Sequence, residues 1–219
     1  VEPLMGDMRL LRIFHSLGVR GIGLVWSRRN EAAEGCTFHP VEAGSEGGLS
    51  AFGLKLVRHA EELGMFIDVS HLNDSGFWNV MDVARGPVIA SHSNCRSLCD
   101  HPRNLTDDQI KAIAAKNGVI GINALSAFVV PSAAGRKASV DDLVSHVDHM
   151  AGLVGTDHIG IGFDFDGTFL DYSGMGKAID VYDVIDGHRE TPVFTSCLRK
   201  RGYSDADIRK ILGLNFLRV

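Results

Sequence analysis

Two histidines, His71 and His92, each follow a serine at the end of a short apolar run, residues 66–69 and 87–90. Between the runs, residues 73–83 have helical spacing behind good N-cap residues, which indicates a strand–helix–strand unit. Parallel strands bring their carboxyl ends to one rim, where active sites are built. The two imidazoles could therefore share one metal ion. Since a catalytic zinc usually has three or more protein ligands, further ligands must come from elsewhere.

Two more residues carry chemistry at predicted rim positions. Asp164 ends the apolar run HIGIGF, where it could be a metal ligand, a general base, or an acid that protonates a leaving group. The alternative is a capping role in the turn FDFDG, for which Asp166 is also suited. Arg103 lies in DHPRNLTDD, where a guanidinium could bind a substrate carboxylate through two hydrogen bonds. An exposed surface arginine is the alternative there.

The remaining histidines and the cysteines point to structural roles. His146 and His149 lie three apart on a predicted outer helix without an HExxH pattern, which favours a structural role for both. The four cysteines form no CxxC pair and are expected to be reduced. Zinc ligation by Cys95 and Cys99 is not favoured, because structural zinc sites use tighter pairs.

Strands and helices alternate along the chain to position these residues. Apolar runs predict strands at 19–26, 66–69, 87–90, 119–123 and 158–164. Helical spacing and capping residues predict helices at 7–17, 49–63, 73–83, 106–117, 139–153, 191–201 and 204–212. Residues 126–138 are expected to form a loop, and residues 168–187 a weakly patterned excursion.

The fold class is predicted to be α/β. Several strands are apolar throughout, which is typical of parallel strands covered on both faces. A doubly wound sheet and a (β/α) barrel both fit. The barrel is favoured because polar residues end several strands, including Ser27 and Asn123, whereas a doubly wound sheet concentrates its site at one switch point. Residues 1–219 are predicted to form one barrel domain.

Composition excludes some classes of function. With 219 residues, 45% hydrophobic, the chain can bury a sizeable core. The formal charge of −5 gives no basic footprint for nucleic acid, and neither GxGxxG nor GxxxxGK[ST] supports a nucleotide site. No apolar run approaches the roughly 18–20 residues of a membrane span, and no signal peptide is recognised. A cytoplasmic location is therefore predicted, and the start at Val1, inside an ongoing pattern, suggests a fragment or a processed product.

Five segments together resemble the membrane dipeptidase (renal dipeptidase) family of zinc dipeptidases, particularly its bacterial members. They are FIDVSH, PVIASHSNCRSLCDHPRNLTDDQI, GVIGIN, VDHMAGLVGTDHIGIGFDFDG and RGYSDADIRKILGLNFLRV, and they run along essentially the whole chain. The resemblance implies a (β/α)8 TIM-type barrel of the metal-dependent hydrolase type, with two metal ions, usually Zn²⁺, at its C-terminal rim. It also implies small dipeptides as substrates, while a homodimer is left open.

The resemblance implies a role for each candidate residue. His71 and His92 would be metal ligands, Arg103 would hold the terminal carboxylate of the substrate, and Asp164 would handle the proton. A metal-bridging hydroxide would attack the dipeptide carbonyl while the metals polarise it and stabilise the oxyanion. Asp164 could then pass the water's proton to the leaving amine.

The chain departs from the family in two places. It lacks the His-x-Asp ligand pair of the first strand and the bridging glutamate, since Glu2 comes a few positions too late. These ligands are expected in a missing N-terminal portion, which would leave the barrel incomplete there. Trp26, in LVWSRRN, stands where many relatives carry a histidine thought to contact the substrate carbonyl oxygen. Indole can donate one hydrogen bond but cannot ligate or titrate, so oxyanion assistance and substrate range are in doubt.

The favoured function is a zinc-dependent dipeptidase that cleaves dipeptides with a free carboxylate, with Trp26 and Arg103 at the substrate. One alternative is a catalytically inactive barrel homologue, truncated or repurposed, that acts in binding or assembly. The other is a metal-dependent hydrolase of another amide or of a lactone.

Overall fold

The computed structural model describes residues 1–36, 47–165 and 181–219. The predicted turn residue Asp166 and most of the predicted excursion lie outside these ranges. The chain divides into two compact units, the first comprising Val1–Ser91, Ala112–Gly118 and Val219, the second His92–Lys111 and Val119–Arg218. The single barrel domain stays a prediction.

The first unit contains a three-stranded parallel sheet of β1 (Gly21–Gly23), β2 (Phe66–Asp68) and β3 (Val88–Ile89). Ile22 lies opposite Ile67, and Ile67 lies opposite Val88. All three strands were expected from the sequence, but each is shorter than its apolar run. The carboxyl ends of these parallel strands share one edge.

Three helices of the first unit begin within two residues of their predicted starts. They are α1 (Met8–Ser16), α2 (Ala51–Glu62) and α3 (Asp74–Val83), with Asp7, Ser50 and Asn73 as N-caps. Each cap side chain accepts a hydrogen bond from a first-turn N–H, such as Gly76 N to Asn73 Oδ1 at 2.8 Å. Such a cap is worth about 1 kcal/mol, so the helix starts are encoded locally.

The second unit contains a parallel pair, β4 (Ile120–Ile122) and β5 (Ile159–Ile161), with Ile120 opposite Ile159. Within the described ranges the other helices are α4 (Asp107–Ala115), whose residues divide between the two units, α5 (Ser126–Val129), α6 (Val140–Val154), α7 (Thr191–Lys200), α8 (Asp205–Arg209) and α9 (Asn215–Arg218). Ser139 and Asp142 form a capping box at the start of α6. In both units strands alternate with helices, which confirms the α/β class.

Two local predictions were wrong in part. The expected loop 126–138 contains α5 and a 3₁₀ turn, Ser132–Ala134. Helix α5 forms because Phe128 and Val129 are buried, while the Ser126 N–H donates to the Tyr182 carbonyl at 2.8 Å. A helix of four residues is too short to show a helical spacing of apolar residues in the sequence. The last predicted helix is interrupted by a π-helical turn, Lys210–Leu214, in which Gly213 is non-helical.

Within the described ranges the sheets have three and two strands, and the closure of a barrel stays a prediction. None of the helices in those ranges has both the length and the apolar content needed to cross a bilayer.

Candidate active site

His92 and Asp164 approach each other in the second unit, as expected from their places after strands. His92 Nε2 lies 3.7 Å from Asp164 Oδ2, and the Asp164 side chain is 44% exposed. Asp164 has a positive φ of 56°, which residues other than glycine adopt uncommonly. A conformation of this kind costs free energy and is common at functional sites. The strand end therefore presents a carboxylate beside an imidazole.

Asn123 orients the Asp164 carboxylate by a hydrogen bond. Its Nδ2 donates to Asp164 Oδ2 at 3.1 Å, while its Oδ1 accepts from the Leu125 N–H at 2.7 Å. Asn94 Oδ1 in turn accepts from the Asn123 N–H at 3.0 Å, and both asparagines are fully buried. Since a buried amide is costly unless it is hydrogen-bonded, these partners leave the Asn123 side chain one orientation. The sequence shows Asn123 at a strand end but gives no sign of its partner.

Arg103 is buried, so the alternative of a surface arginine is wrong. Its side chain has an exposed fraction of 3%, and Nη2 donates to the backbone carbonyl of His92 at 3.3 Å. The guanidinium carbon lies 5.6 Å from the centroid of the Phe128 ring. The buried guanidinium is therefore bound to the backbone of His92, the residue whose side chain approaches Asp164.

The loop that carries Arg103 is held by Asn104. Asn104 Nδ2 donates to the carbonyl oxygens of Cys99 and Phe128, each at 2.9 Å, and Oδ1 accepts from the Asn94 N–H at 3.2 Å. Asn94 therefore links the Arg103 loop to the strand end at Asn123. Sequence reasoning missed Asn94 and Asn104, because their partners lie up to 34 residues away.

His146 has the structural role predicted for it. It is buried, Nδ1 accepts from the Cys95 N–H at 3.1 Å, and Nε2 donates to the Val129 carbonyl at 2.9 Å. This pattern requires the neutral imidazole, and burial lowers the pKa of His146 below its usual value. His149 pairs with Asp107 at 2.8 Å, and that hydrogen bond lowers the pKa of the Asp107 carboxyl.

All four cysteines are buried thiols that form no disulfide, as expected. Burial raises the pKa of the Cys99 thiol to about 11 and that of Cys95 further still. Such thiols stay protonated near neutral pH, so neither is a ready metal ligand or nucleophile.

Acid is expected to destabilise the fold through His146 and His101. Burial lowers both pKa values, and the positive charges of Arg103 and Arg96 lower that of His101 further. Below about pH 6.5 the unfolded chain binds more protons than the folded chain, so stability falls as pH falls. Each group contributes a slope of up to about 1.4 kcal/mol per pH unit. Urea unfolding at several pH values between 5 and 8 measures the free energy of unfolding and so gives this slope.

His146→Gln is the matched variant, because an amide can still donate to the Val129 carbonyl but does not titrate. We expect a shallower slope for it than for the wild type. Equal slopes would show that His146 is not a source of the acid sensitivity.

His71 lies in the first unit beside Ser27 and Trp26. Ser27 Oγ is 3.2 Å from His71 Nδ1, and the Trp26 and His71 ring centroids are 5.8 Å apart. The Cys36 N–H donates to the His71 carbonyl at 2.7 Å, and His71 has a φ of 73°. The two predicted residues Trp26 and His71 are thus neighbours, and Ser27 engages one edge of the imidazole.

Asp68, the last residue of β2, holds the serines of both Ser-His pairs. Its Oδ1 accepts from the N–H groups of Ser70 and Ser91 at 3.0 Å, and Oδ2 accepts from Ser91 Oγ at 2.5 Å. The carboxylate therefore sets the path of the chain immediately before His71 and His92. Sequence analysis missed Asp68, although a carboxylate within an apolar run was an available signal.

Asp68→Asn is expected to destabilise the protein by about 1–3 kcal/mol, because an amide nitrogen cannot accept the Ser91 hydroxyl or N–H bonds. Thermal or urea unfolding measures the loss. Asp82→Asn, at an exposed position of α3, is the matched control and should change stability little. Equal effects of the two substitutions would contradict the role given to Asp68.

His92 and Asp164 are the kinds of side chain that bind zinc, but two side chains are fewer than a zinc site needs. His92 and Asp164 bring an imidazole nitrogen and a carboxylate oxygen within 3.7 Å, and both are donor types that zinc accepts. Among the described residues, however, no group of three or more His, Cys, Asp and Glu could hold a metal ion. Two such side chains alone could supply at most part of a zinc ligand set.

A family model and several known proteins match this chain over nearly its whole length. The family model for membrane dipeptidase (peptidase family M19) matches residues 1–219. An uncharacterized protein in the pqqA 5' region of Klebsiella pneumoniae is 36% identical over 98% of this chain and 76% of its own length. Dipeptidase verJ of Clonostachys rogersoniana is 34% identical over 96% of this chain and 50% of its own length.

A crystal structure of a metallo peptidase from Rhodobacter sphaeroides, liganded with a phosphinate mimic of the dipeptide L-Ala-D-Ala, superposes with a TM-score of 0.82. It is 32% identical, and the match covers 96% of this chain and 57% of that one. The chain thus spans about half the length of the dipeptidase relative and of this neighbour.

Proposed function

Because the chain belongs to the membrane dipeptidase family, peptidase family M19, we propose that the protein carrying it is a metal-dependent dipeptidase. The observation that carries this proposal is the group formed by His92, Asp164 and Arg103 in the second unit. An exposed carboxylate beside an imidazole, with a buried guanidinium held on the same histidine, suits a small substrate that has its own carboxylate.

We propose His71 and His92 as metal ligands, with two Zn²⁺ ions in the complete site. Ser27 engages His71 Nδ1, so Nε2 is the ring nitrogen that we assign to the metal; a ligating histidine usually makes such an outer bond with its other nitrogen. The other ligands would come from outside the described residues. Bound zinc would supply a nucleophile from water at neutral pH and polarise the scissile carbonyl.

Arg103 would bind the terminal carboxylate of the dipeptide. A guanidinium can bind a carboxylate through two parallel hydrogen bonds, and burial strengthens such a pair by removing competing water. Its attachment to the His92 carbonyl at 3.3 Å would place the substrate's carboxyl end relative to the histidine. Free dipeptides would then be preferred over peptides whose carboxyl group is blocked.

Asp164 would move the proton during cleavage. Asn123 holds Oδ2, so the second oxygen is the one that we assign to the proton. The carboxylate would accept a proton from the attacking water and give it to the leaving amine nitrogen, which releases the two amino acids. Trp26, beside His71, would line the substrate site.

We propose that the alternating strands and helices belong to a (β/α)8 TIM-type barrel. The cytoplasmic location stays a prediction, and a homodimer stays open.

Substrate preference tests the proposed function. The complete protein, loaded with zinc, is given a dipeptide, the same dipeptide as its C-terminal amide, and a simple lactone. We expect cleavage of the dipeptide at a much higher kcat/KM than of the amide. Equal or faster cleavage of the amide or the lactone would identify a hydrolase of another bond. No cleavage of any of the three would favour the inactive homologue.

A further inference from the structure

Asn94 is fully buried, and each of its polar groups makes a hydrogen bond. Its side-chain Oδ1 accepts from the Asn123 N–H at 3.0 Å. Its Nδ2 donates to the carbonyl oxygens of Asn123 at 2.9 Å and of Phe128 at 3.2 Å. The backbone N–H donates to Asn104 Oδ1 at 3.2 Å, and the backbone carbonyl accepts from the Leu105 N–H at 2.9 Å. A buried amide whose bonds are all satisfied is held rigidly in one orientation.

On one side, this set of bonds reaches Asp164. Asn94 holds the backbone of Asn123 at both its N–H and its carbonyl. Asn123 is also fully buried, and its Nδ2 donates to Asp164 Oδ2 at 3.1 Å. Asn94 therefore fixes the residue that orients the carboxylate proposed to move the proton.

On the other side, the bonds reach the loop of Arg103. Asn104 and Leu105, the two residues that follow Arg103, are both bonded to the backbone of Asn94. The Phe128 carbonyl accepts from Nδ2 of both Asn94 and Asn104. The ring of the same Phe128 lies 5.6 Å from the guanidinium carbon of Arg103. The guanidinium is thus tied to Asn94 by its own loop and by the ring that it packs against.

The spacing between Arg103 and Asp164 has a counterpart in the substrate. In the proposed reaction the guanidinium binds the terminal carboxylate, and Asp164 gives a proton to the leaving amine nitrogen. In a dipeptide of α-amino acids one carbon atom separates that nitrogen from the carboxylate carbon, whereas a C-terminal β-amino acid has two. Because a displacement of about 1 Å can cost about 100-fold in rate, a fixed spacing discriminates between these substrates.

We propose that Asn94 is a positioning residue that fixes the spacing of Arg103 and Asp164, and so selects dipeptides whose C-terminal residue is an α-amino acid. Because Asn94 is fully buried, it acts through its neighbours and not by contact with the substrate. The inference rests on the proposed function and adds a limit on the backbone length of the substrate.

The experiment compares Gly-Gly with Gly-β-Ala as substrates of the complete, zinc-loaded protein, with each rate taken per mole of folded protein. We expect the wild type to prefer Gly-Gly in kcat/KM by about 10- to 200-fold, the range in which one extra methylene is discriminated. In Asn94→Asp, Oδ1 can still accept from the Asn123 N–H, but a carboxylate oxygen replaces the donor Nδ2 and faces two carbonyl oxygens. The preference should then fall about 10-fold or more, because the spacing is no longer fixed.

Asn215→Asp is the matched control, because Asn215 is also buried and its Nδ2 also donates to two backbone carbonyls, those of Thr156 and Ile159, each at 2.7 Å. Ile159 begins β5, whereas Asp164 follows the other end of that strand. The control should lose stability in urea unfolding but keep the wild-type preference. Asn94→Ser, whose hydroxyl can still donate one hydrogen bond, should show a smaller fall and is the variant to use if Asn94→Asp does not fold.

An unchanged preference in a folded Asn94 variant, or an equal fall in Asn94→Asp and Asn215→Asp, would overturn the inference. A wild type that cleaves both substrates equally well would also overturn it, while the dipeptidase stands. A wild type that cleaves neither substrate would refute the proposed function, and this inference with it.

Discussion

Asp164→Asn is expected to lower kcat for dipeptide cleavage by about 10²- to 10⁴-fold, the usual contribution of a positioned acid–base group. An amide cannot take up or release the proton, but its oxygen can still accept the hydrogen bond that Asn123 Nδ2 makes at 3.1 Å. The position of the side chain should therefore be kept while its proton chemistry is lost. KM should change far less than kcat, because the substrate is held elsewhere.

Asp157→Asn is the matched control, since Asp157 lies at the opposite end of β5 and pairs with Lys210 at 2.7 Å near the surface. Steady-state kinetics on one dipeptide suffices for both variants. An Asp164→Asn protein that keeps more than about a tenth of the wild-type kcat would not be explained by acid–base catalysis.

Arg103→Lys is expected to lower kcat/KM for dipeptides by roughly 30- to several-thousand-fold, which corresponds to the 2–5 kcal/mol of a buried charge pair. Lysine keeps the positive charge but loses the planar fork that binds a carboxylate with two hydrogen bonds. It also loses contact geometry with the Phe128 ring, whose centroid lies 5.6 Å from the guanidinium carbon. Most of the effect should appear in KM.

Comparing two substrates distinguishes carboxylate binding by Arg103 from a purely structural role. Cleavage of a dipeptide amide, which has no terminal carboxylate, should change much less than cleavage of the free dipeptide. Arg96→Lys is the matched control, because Arg96 Nε donates to the Asn104 carbonyl at 2.9 Å in the same loop. An equal loss on dipeptide and amide would refute carboxylate recognition.

The sequence predicts most of what is local in this protein. Caps such as Asn73, Ser139 and Ser204 mark where helices begin, because a side-chain oxygen and the first-turn N–H groups are close in the chain. The apolar runs predict every strand of both sheets. They also predict that His92 and Asp164 come together, since parallel strands have their ends at one edge.

The sequence does not predict the bonds that hold the site in place. Asn94 and Asn123 are 29 residues apart, and Asp68 and Ser91 are 23 apart, so neither pairing has a local signal. The burial of Arg103 is likewise a tertiary effect, produced by the packing of its loop against Phe128.

We propose that the protein cleaves dipeptides with His71 and His92 among its metal ligands. The most direct measurement is dipeptide hydrolysis by the complete protein, first as purified, then after a chelator, and then after added Zn²⁺, with zinc content determined at each stage. We predict that activity and zinc are lost together and return together, and that His71→Ala and His92→Ala each lower bound zinc. Undiminished cleavage by the metal-free protein would contradict the account.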